Sequence, residues 1–263
     1  MNQYPTTPSE PQPAAPPQSV RISMPSSVPY VTYSIVGVTT VMYLLQVASV
    51  YFFGYANSGS QIDWLEAYGA RINEFIRAGE LWRLLTPALL HASIPHILFN
   101  MYALIVFGIG LERNFGHWRF LTLYVLGAFT GNVLSFLLSS GYSVGASTAI
   151  FGLIGAEGIF LYQNRKMFGN QFGRAIGNIV FIVAINLFLD LTPGIDIWGH
   201  IGGLLGGLIF ALFAAPRFEV EGIYPVLHLA DTREQREVLT GVAAVILIFG
   251  ALAMIGIFHP LAP

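Results

Sequence analysis

Ser143-Val-Gly-Ala-Ser-Thr-Ala-Ile-Phe-Gly152 opens an apolar run that continues to about residue 162. It sets Ser147 just inside that run, two residues after Gly145. A second stretch, Trp198-Gly-His-Ile-Gly-Gly-Leu-Leu-Gly-Gly207, sets a lone histidine, His200, inside another apolar run. Polar side chains at membrane depth are costly and need a reason. That these runs lie in a membrane follows from composition. The chain is 54% hydrophobic and 10% charged, with a mean hydropathy of +0.63. Soluble domains carry about 25% charged residues, so the expected class is an all-α polytopic membrane protein.

Working outward, apolar segments run over about 29–53, 94–111, 119–139, 145–162, 174–192, 197–215 and 238–258. In lipid every backbone polar group needs an internal partner, so each is expected to be a helix. Residues 1–28 are rich in Pro, Gln, Ser and Thr and read as a disordered cytoplasmic tail. They lack the basic start and short apolar core of a signal peptide. Residues 54–92 form a long, partly amphipathic first loop, with Trp82 beside Arg83 read at the headgroup level as an aromatic and a snorkelling cation. Residues 216–237 read as a linker to the last span. The domain reading is thus a tail over 1–28, a six-helix core over 29–215, and a linker with a seventh helix over 216–263. With the N-terminus inside, nine basic residues (Arg21, Arg113, Arg119, Arg165, Lys166, Arg174, Arg217, Arg233, Arg236) fall on the inner side. The other three of the 12, Arg71, Arg77 and Arg83, fall in the first loop outside. That bias favours the N-terminus in and the C-terminus out. It also puts Ser147 and His200 on the same, outer side.

Serine becomes a nucleophile when a base takes its proton, and histidine is the usual base. Ser147 starts its helix, where free amides can stabilise an oxyanion. Phe151, Gly155 and Gly158 share its helical face, and Gly203, Gly207 and Ala211 share that of His200. Small residues at such spacings let membrane helices approach closely, so these two faces are expected to meet. His96 and Asn100, four residues apart, share a face and can both donate to an oxyanion. The plainer readings are a serine bonded to its own backbone, glycines that merely pack, and a His–Asn pair joining helices. His91 reads as a loop-holding residue. Asp190 and Asp196 flank the outer turn before His200; the two readings are contact of either with the site and, the favoured one, capping of the turn.

Taken together these motifs resemble the rhomboid family of intramembrane serine proteases. They are Trp82-Arg83, the HxxxN pair His96 and Asn100, Glu112-Arg113 with Gly116, Gly145-Ala146-Ser147, and His200 with Gly203 and Gly207. The resemblance covers about residues 30–215. It implies a six-helix core with a Ser147–His200 dyad and no acidic third member, and a C-terminal helix in a six-plus-one arrangement. It implies that Ser147 is the nucleophile and His200 the general base. His96, Asn100 and the Ser147 N–H would form the oxyanion hole, and Phe151 would pack on the catalytic histidine. Gly145, Gly203, Gly207, Trp82 and Arg83 would support the site. Thr148 departs from the family, which has glycine there most often, and this bears on substrate preference and rate.

The implied activity is cleavage of transmembrane segments of other proteins, with no cofactor and no metal. The implied partners are transmembrane substrates and the lipid bilayer. The implied location is a bacterial inner membrane, with the site opening outward. A net charge of −2 gives no hint of nucleic-acid binding, and without cysteines there are no disulfides or thiolate metal sites. The main alternative is a catalytically impaired rhomboid-like protein that binds membrane clients. A metalloenzyme built on His91, His96 and His200 would lack any H-E-x-x-H motif. The sequence leaves the oligomeric state open.

Overall fold

The computed structural model describes residues 27–53, 63–192, 194–223 and 226–259. The tail read over 1–28 falls almost wholly outside these residues. All seven expected spans are helices: α1 (Tyr30–Phe53), α4 (Ile94–Phe115), α5 (His117–Leu138), α6 (Ser147–Gln163), α8 (Phe172–Leu189), α9 (Ile197–Ala214) and α10 (Gln235–Phe258), with one short turn of helix, α7 (Arg165–Phe168), between α6 and α8. Among the described residues six helical stretches are long and apolar enough to cross a membrane. The shortest of the seven helices is α6, at 17 residues. At 1.5 Å per residue it is about 25 Å long, short of a hydrocarbon core of about 30 Å. Its neighbours make up the difference: every residue from Thr148 to Ala156 is buried. This helix is therefore the core of the bundle, and Ser147 is its first residue.

Around α6 pack α5, α9 and α4, with α10 lying outside α5 and α9 and α1 lying against α4. Helix α8 differs. It packs chiefly on α6 and has no buried residue of its own. Close approach of α6 and α9 depends on glycine. A Cβ on Gly203 would stand 1.9 Å from the Thr148 carbonyl oxygen, and one on Gly207 2.0 Å from that of Gly152. The α6 surface that meets α9 thus includes Ser147, Phe151 and Gly155 of the expected face, with Thr148 and Gly152 beside them. Gly158 of that face looks instead toward Ile176 and Ile179 of α8.

Local signals set the helix ends. Ser93 caps α4, accepting from His96 N at 3.3 Å, and Gly116, at φ 75°, ends α4 so that α5 begins at once. Helix α4 runs to Phe115, beyond the expected end at 111, because Glu112 is buried and occupied. It accepts from Val31 N (2.9 Å), Thr32 N (2.7 Å) and Thr32 Oγ1 (2.6 Å), and so satisfies the free amides at the start of α1. A capping box of Glu234 and Glu237 opens α10.

From residue 63 onward the first loop forms a cap. It contains α2 (Trp64–Gly69), α3 (Asn73–Arg77) and 3₁₀ turns over Leu81–Leu84 and Thr86–Leu89. Gln46 ties it to α1, donating to Asp63 Oδ2 at 2.7 Å and accepting from His91 N at 3.0 Å. Between α9 and α10 the expected linker holds an antiparallel hairpin, β1 (Phe218–Ile223) and β2 (Val226–Asp231), pinned to α5 by an Arg119–Asp231 ion pair at 2.6 Å.

Candidate functional site

At the first-loop end of the bundle, His200 Nε2 lies 2.8 Å from Ser147 Oγ. Ser147 is the first residue of α6, and His200 is in the first turn of α9. The two starts are level because the glycine contacts described above set the register between α6 and α9. Phe151, one turn below Ser147, stacks on the His200 ring with centroids 4.3 Å apart and planes 10° from parallel. The ring's other nitrogen, Nδ1, lies 2.5 Å from Asp190 Oδ2. This acid sits just past the end of α8 and is buried. The resemblance implied no acidic partner for the histidine, and the turn-cap reading of Asp190 does not describe this contact. Asp196 is the cap: its carboxylate accepts from Gly199 N at 3.1 Å and begins α9.

Ala146 precedes α6 without a side-chain cap. The first amides of α6, including that of Ser147, therefore have no partner from a capping side chain. Gly145 holds φ at 132°, a region that strains any side chain, and a Cβ there would lie 2.7 Å from His96 Nε2. The missing side chain thus brings the His96 ring against the strand that leads to Ser147. Asn100 is buried one turn further along α4, and its amide donates to its own helix at His96 O, 3.1 Å. Asn100 and Ser147 are not joined by a hydrogen bond here. His91 accepts from Ala146 N at 3.4 Å and lies edge-on to His96, with centroids 5.0 Å apart. Burial, and then the neighbouring His96, push the His91 imidazole down to about 3. It is therefore neutral at physiological pH and able to accept.

Trp82 is half exposed and donates from Nε1 to Tyr68 O at 3.0 Å. Arg83 does not snorkel. It is 2% exposed and its guanidinium donates to Ala70 O and Ala67 O, both at 2.8 Å, and to Glu80 Oε2 at 2.7 Å. Fixed planar donors suit such internal stapling. Both residues hold the first loop together.

A residue that the sequence reading passed over is Arg71. Its backbone pairs with Ser143, N to O at 3.0 Å and O from N at 3.1 Å. Its guanidinium is fully buried and ion-paired to Asp196 at 3.9 Å, with a further bond to Asn73 Oδ1 at 2.7 Å. Asp196 also accepts from Ser135. Arg71 thereby joins the approach to Ser147 with the start of the His200 helix. Thr148, for its part, points away from the Ser147–His200 pair. Its methyl fills the hollow left by Gly131 and Gly199, and its buried Oγ1 has no partner.

The Rhomboid domain model matches residues 78–217 of this chain, which hold Arg83, His96, Asn100, Ser147, Asp190 and His200. The chain belongs to the rhomboid family. Similar proteins include the rhomboid protease GluP of Bacillus subtilis, 46% identical over 157 residues, covering 59% of this chain and 30% of that one. RHOMBOID-like protein 9, chloroplastic, of Arabidopsis thaliana is 37% identical over 150 residues, covering 57% of this chain and 35% of that one. RHOMBOID-like protein 6, mitochondrial, of the same plant is 37% identical over 201 residues, covering 73% and 65%. The chain therefore spans about a third to two thirds of the length of these relatives. As a rhomboid with several apolar helices, it is an integral membrane protein.

Proposed function

We propose that this rhomboid is an intramembrane serine endopeptidase that cleaves transmembrane segments of other proteins, with Ser147 as nucleophile and His200 as general base. The observation that carries the reading is the 2.8 Å contact between His200 Nε2 and Ser147 Oγ. That distance lies within the range for direct proton transfer. Ser147 Oγ attacks the scissile carbonyl carbon and gives its proton to His200 Nε2. Collapse of the tetrahedral intermediate breaks the C–N bond, and Nε2 passes the proton to the leaving amine. Water then attacks the acyl-enzyme, its proton going to Nε2 and back to Ser147 Oγ as the acid leaves. The oxyanion would be met by the Ser147 N–H, by His96, and by Asn100 once its amide turns from His96 O. A helix hides its peptide bonds, so the substrate must unwind near the cut, which favours small or helix-breaking residues there. In the orientation read from the basic residues, the site opens outward and the N-terminus is cytoplasmic. This matches a bacterial inner membrane.

A fluorophosphonate probe on the purified protein tests the proposal, together with cleavage of a labelled transmembrane substrate in liposomes. Wild type should label and cleave, and Ser147→Ala should do neither. Cleavage that survives in Ser147→Ala, or client binding without any labelling of wild type, would reduce the chain to a binding protein.

A further inference from the structure

The pairing of His200 Nδ1 with a buried carboxylate calls for a role that a two-residue site does not give it. Asp190 Oδ2 stands 2.5 Å from Nδ1 on the side of the ring opposite Ser147. Among the described residues, the Asp190 carboxylate hydrogen-bonds no other group. A buried carboxylate is kept only where something satisfies it. From this geometry we propose that Asp190 is the positioning residue of a Ser147–His200–Asp190 triad. This rests on the protease reading above.

The physical role follows from hydrogen-bond valence. Neutral imidazole carries one proton. Only the Nδ1–H tautomer leaves Nε2 a lone pair for the Ser147 proton, and only an acceptor at Nδ1 selects that tautomer. Asp190 is such an acceptor. When Nε2 takes the Ser147 proton the ring becomes a cation, and the carboxylate then faces a positive charge at hydrogen-bond distance. Phe151 fixes the plane of the ring but cannot choose its tautomer. Asp196, though nearer in sequence, is occupied by Gly199 N, Ser135 and Arg71.

The carrier of Asp190 adds a consequence. Asp190 follows directly on α8, the helix with no buried residue, packed chiefly on α6. The other side-chain amide of its last turns, Asn186, bonds only within α8 at Ile182 O. Among the described residues, the Asp190–His200 bond is the only side-chain hydrogen bond from α8 or its last cap to another helix. The tautomer of His200 is therefore correct only while the end of α8 is docked.

Asp190→Asn in the full chain, reconstituted with a labelled transmembrane substrate, tests this. The expected result is a fall in kcat on the order of 10²- to 10⁴-fold with KM little changed, since Asp190 does not face the substrate side of the ring. Nitrogen-15 NMR of labelled histidines, with the His200 signal assigned by its loss in His200→Gln, gives the second readout. Wild type should carry the proton on Nδ1 with a low-field resonance, and Asp190→Asn should carry it on Nε2. Wild-type kcat in Asp190→Asn would overturn the proposal, as would an Nε2–H tautomer in wild type. The NMR of wild type decides alone if the variant fails to fold. If wild type labels with fluorophosphonate and Asp190→Asn cleaves like wild type, the triad falls and the dyad stands. If wild type does not label at all, both fall.

Discussion

Adding a single methyl at Gly203 should separate the two helices that hold Ser147 and His200. The Cβ of Gly203→Ala would sit 1.9 Å from the Thr148 carbonyl oxygen. Carbon and oxygen stay about 3.3 Å apart even in a close Cα–H···O contact, so the gap is short by about 1.4 Å. The obstacle is a helix backbone, which no rotamer can clear, so α9 must move away from α6. Thr148 follows Ser147 directly and Gly203 lies one turn after His200, so most of that displacement reaches the pair. The 2.8 Å contact would open to about 4 Å, beyond hydrogen-bond range. A misplacement of about 1 Å costs on the order of 10²-fold in rate, and overpacking costs about 1–3 kcal/mol in stability. Gly177→Ala is the control, because nothing lies within 4 Å of its Cβ. It should be neutral or stabilising by about 0.5–1 kcal/mol, as in any exposed helix interior. The assay is unfolding in detergent combined with fluorophosphonate labelling of Ser147. Gly203→Ala with wild-type midpoint and labelling rate would refute the argument, since it would mean that this interface yields without cost.

Four further outcomes follow from the same contacts. Asn100→Ala should lower cleavage about 10²–10³-fold if its amide turns to the oxyanion, and an unchanged rate would leave it only its bond to His96 O. Thr148→Val should keep stability within about 1 kcal/mol of wild type or raise it, because the buried Oγ1 it removes has no partner; a large loss on thermal unfolding would reveal a partner for that hydroxyl. Arg71→Met should cost on the order of 3 kcal/mol by stranding Asp196, and should slow labelling of Ser147 in the molecules that remain folded. Glu66 lies in α2, outside the spans, where burial and then Asp63 raise its carboxyl from 4.5 to about 7. A raised acid binds its proton more tightly when folded, so stability is full below pH 4.5 and falls as pH rises toward 7. Glu66→Gln should flatten that slope, with a gain of roughly 1–3 kcal/mol above neutrality, as read from unfolding midpoints across pH.

How much of this was legible in the sequence differs between spans and loops. The spans could be read because lipid leaves the backbone one solution, and apolar length alone then locates helices such as α1 and α10. Their ends could not be read from hydropathy. Helix α4 passes Glu112 because that acid is consumed by the amides of α1, some 80 residues earlier in sequence. The hairpin over Phe218–Asp231 was read as a linker since its strands are short and mostly exposed. Arg83 was misread for a related reason. A basic residue beside a tryptophan near a span has the composition of a headgroup anchor, yet its donors go to Ala67 and Ala70 in the chain just before it. Long-range hydrogen bonding is the information that a linear pattern lacks. The same limit hid Thr148 and Gly152, which widen the α6 face that meets α9: what Gly203 touches is the Thr148 carbonyl, which carries no side-chain signal.

Ser147, His200, His96 and Asn100 were each visible as polar residues out of place in apolar runs, whereas Asp190 was hidden by a plausible rival. Two acids flank the turn before His200, and helix geometry separates their roles. Asp196 is four residues before His200 and directly before α9, so its carboxylate folds onto the free amide of Gly199 and is used up there. An acid at the end of α8 has no such outlet. The C-terminal end of a helix presents carbonyls, which repel a carboxylate, so Asp190 cannot cap its own helix and must find a donor elsewhere. Buried as it is, it lies within hydrogen-bond distance of His200 Nδ1. Asp196 alone therefore caps the turn, and the polarity of α8 leaves Asp190 for the histidine.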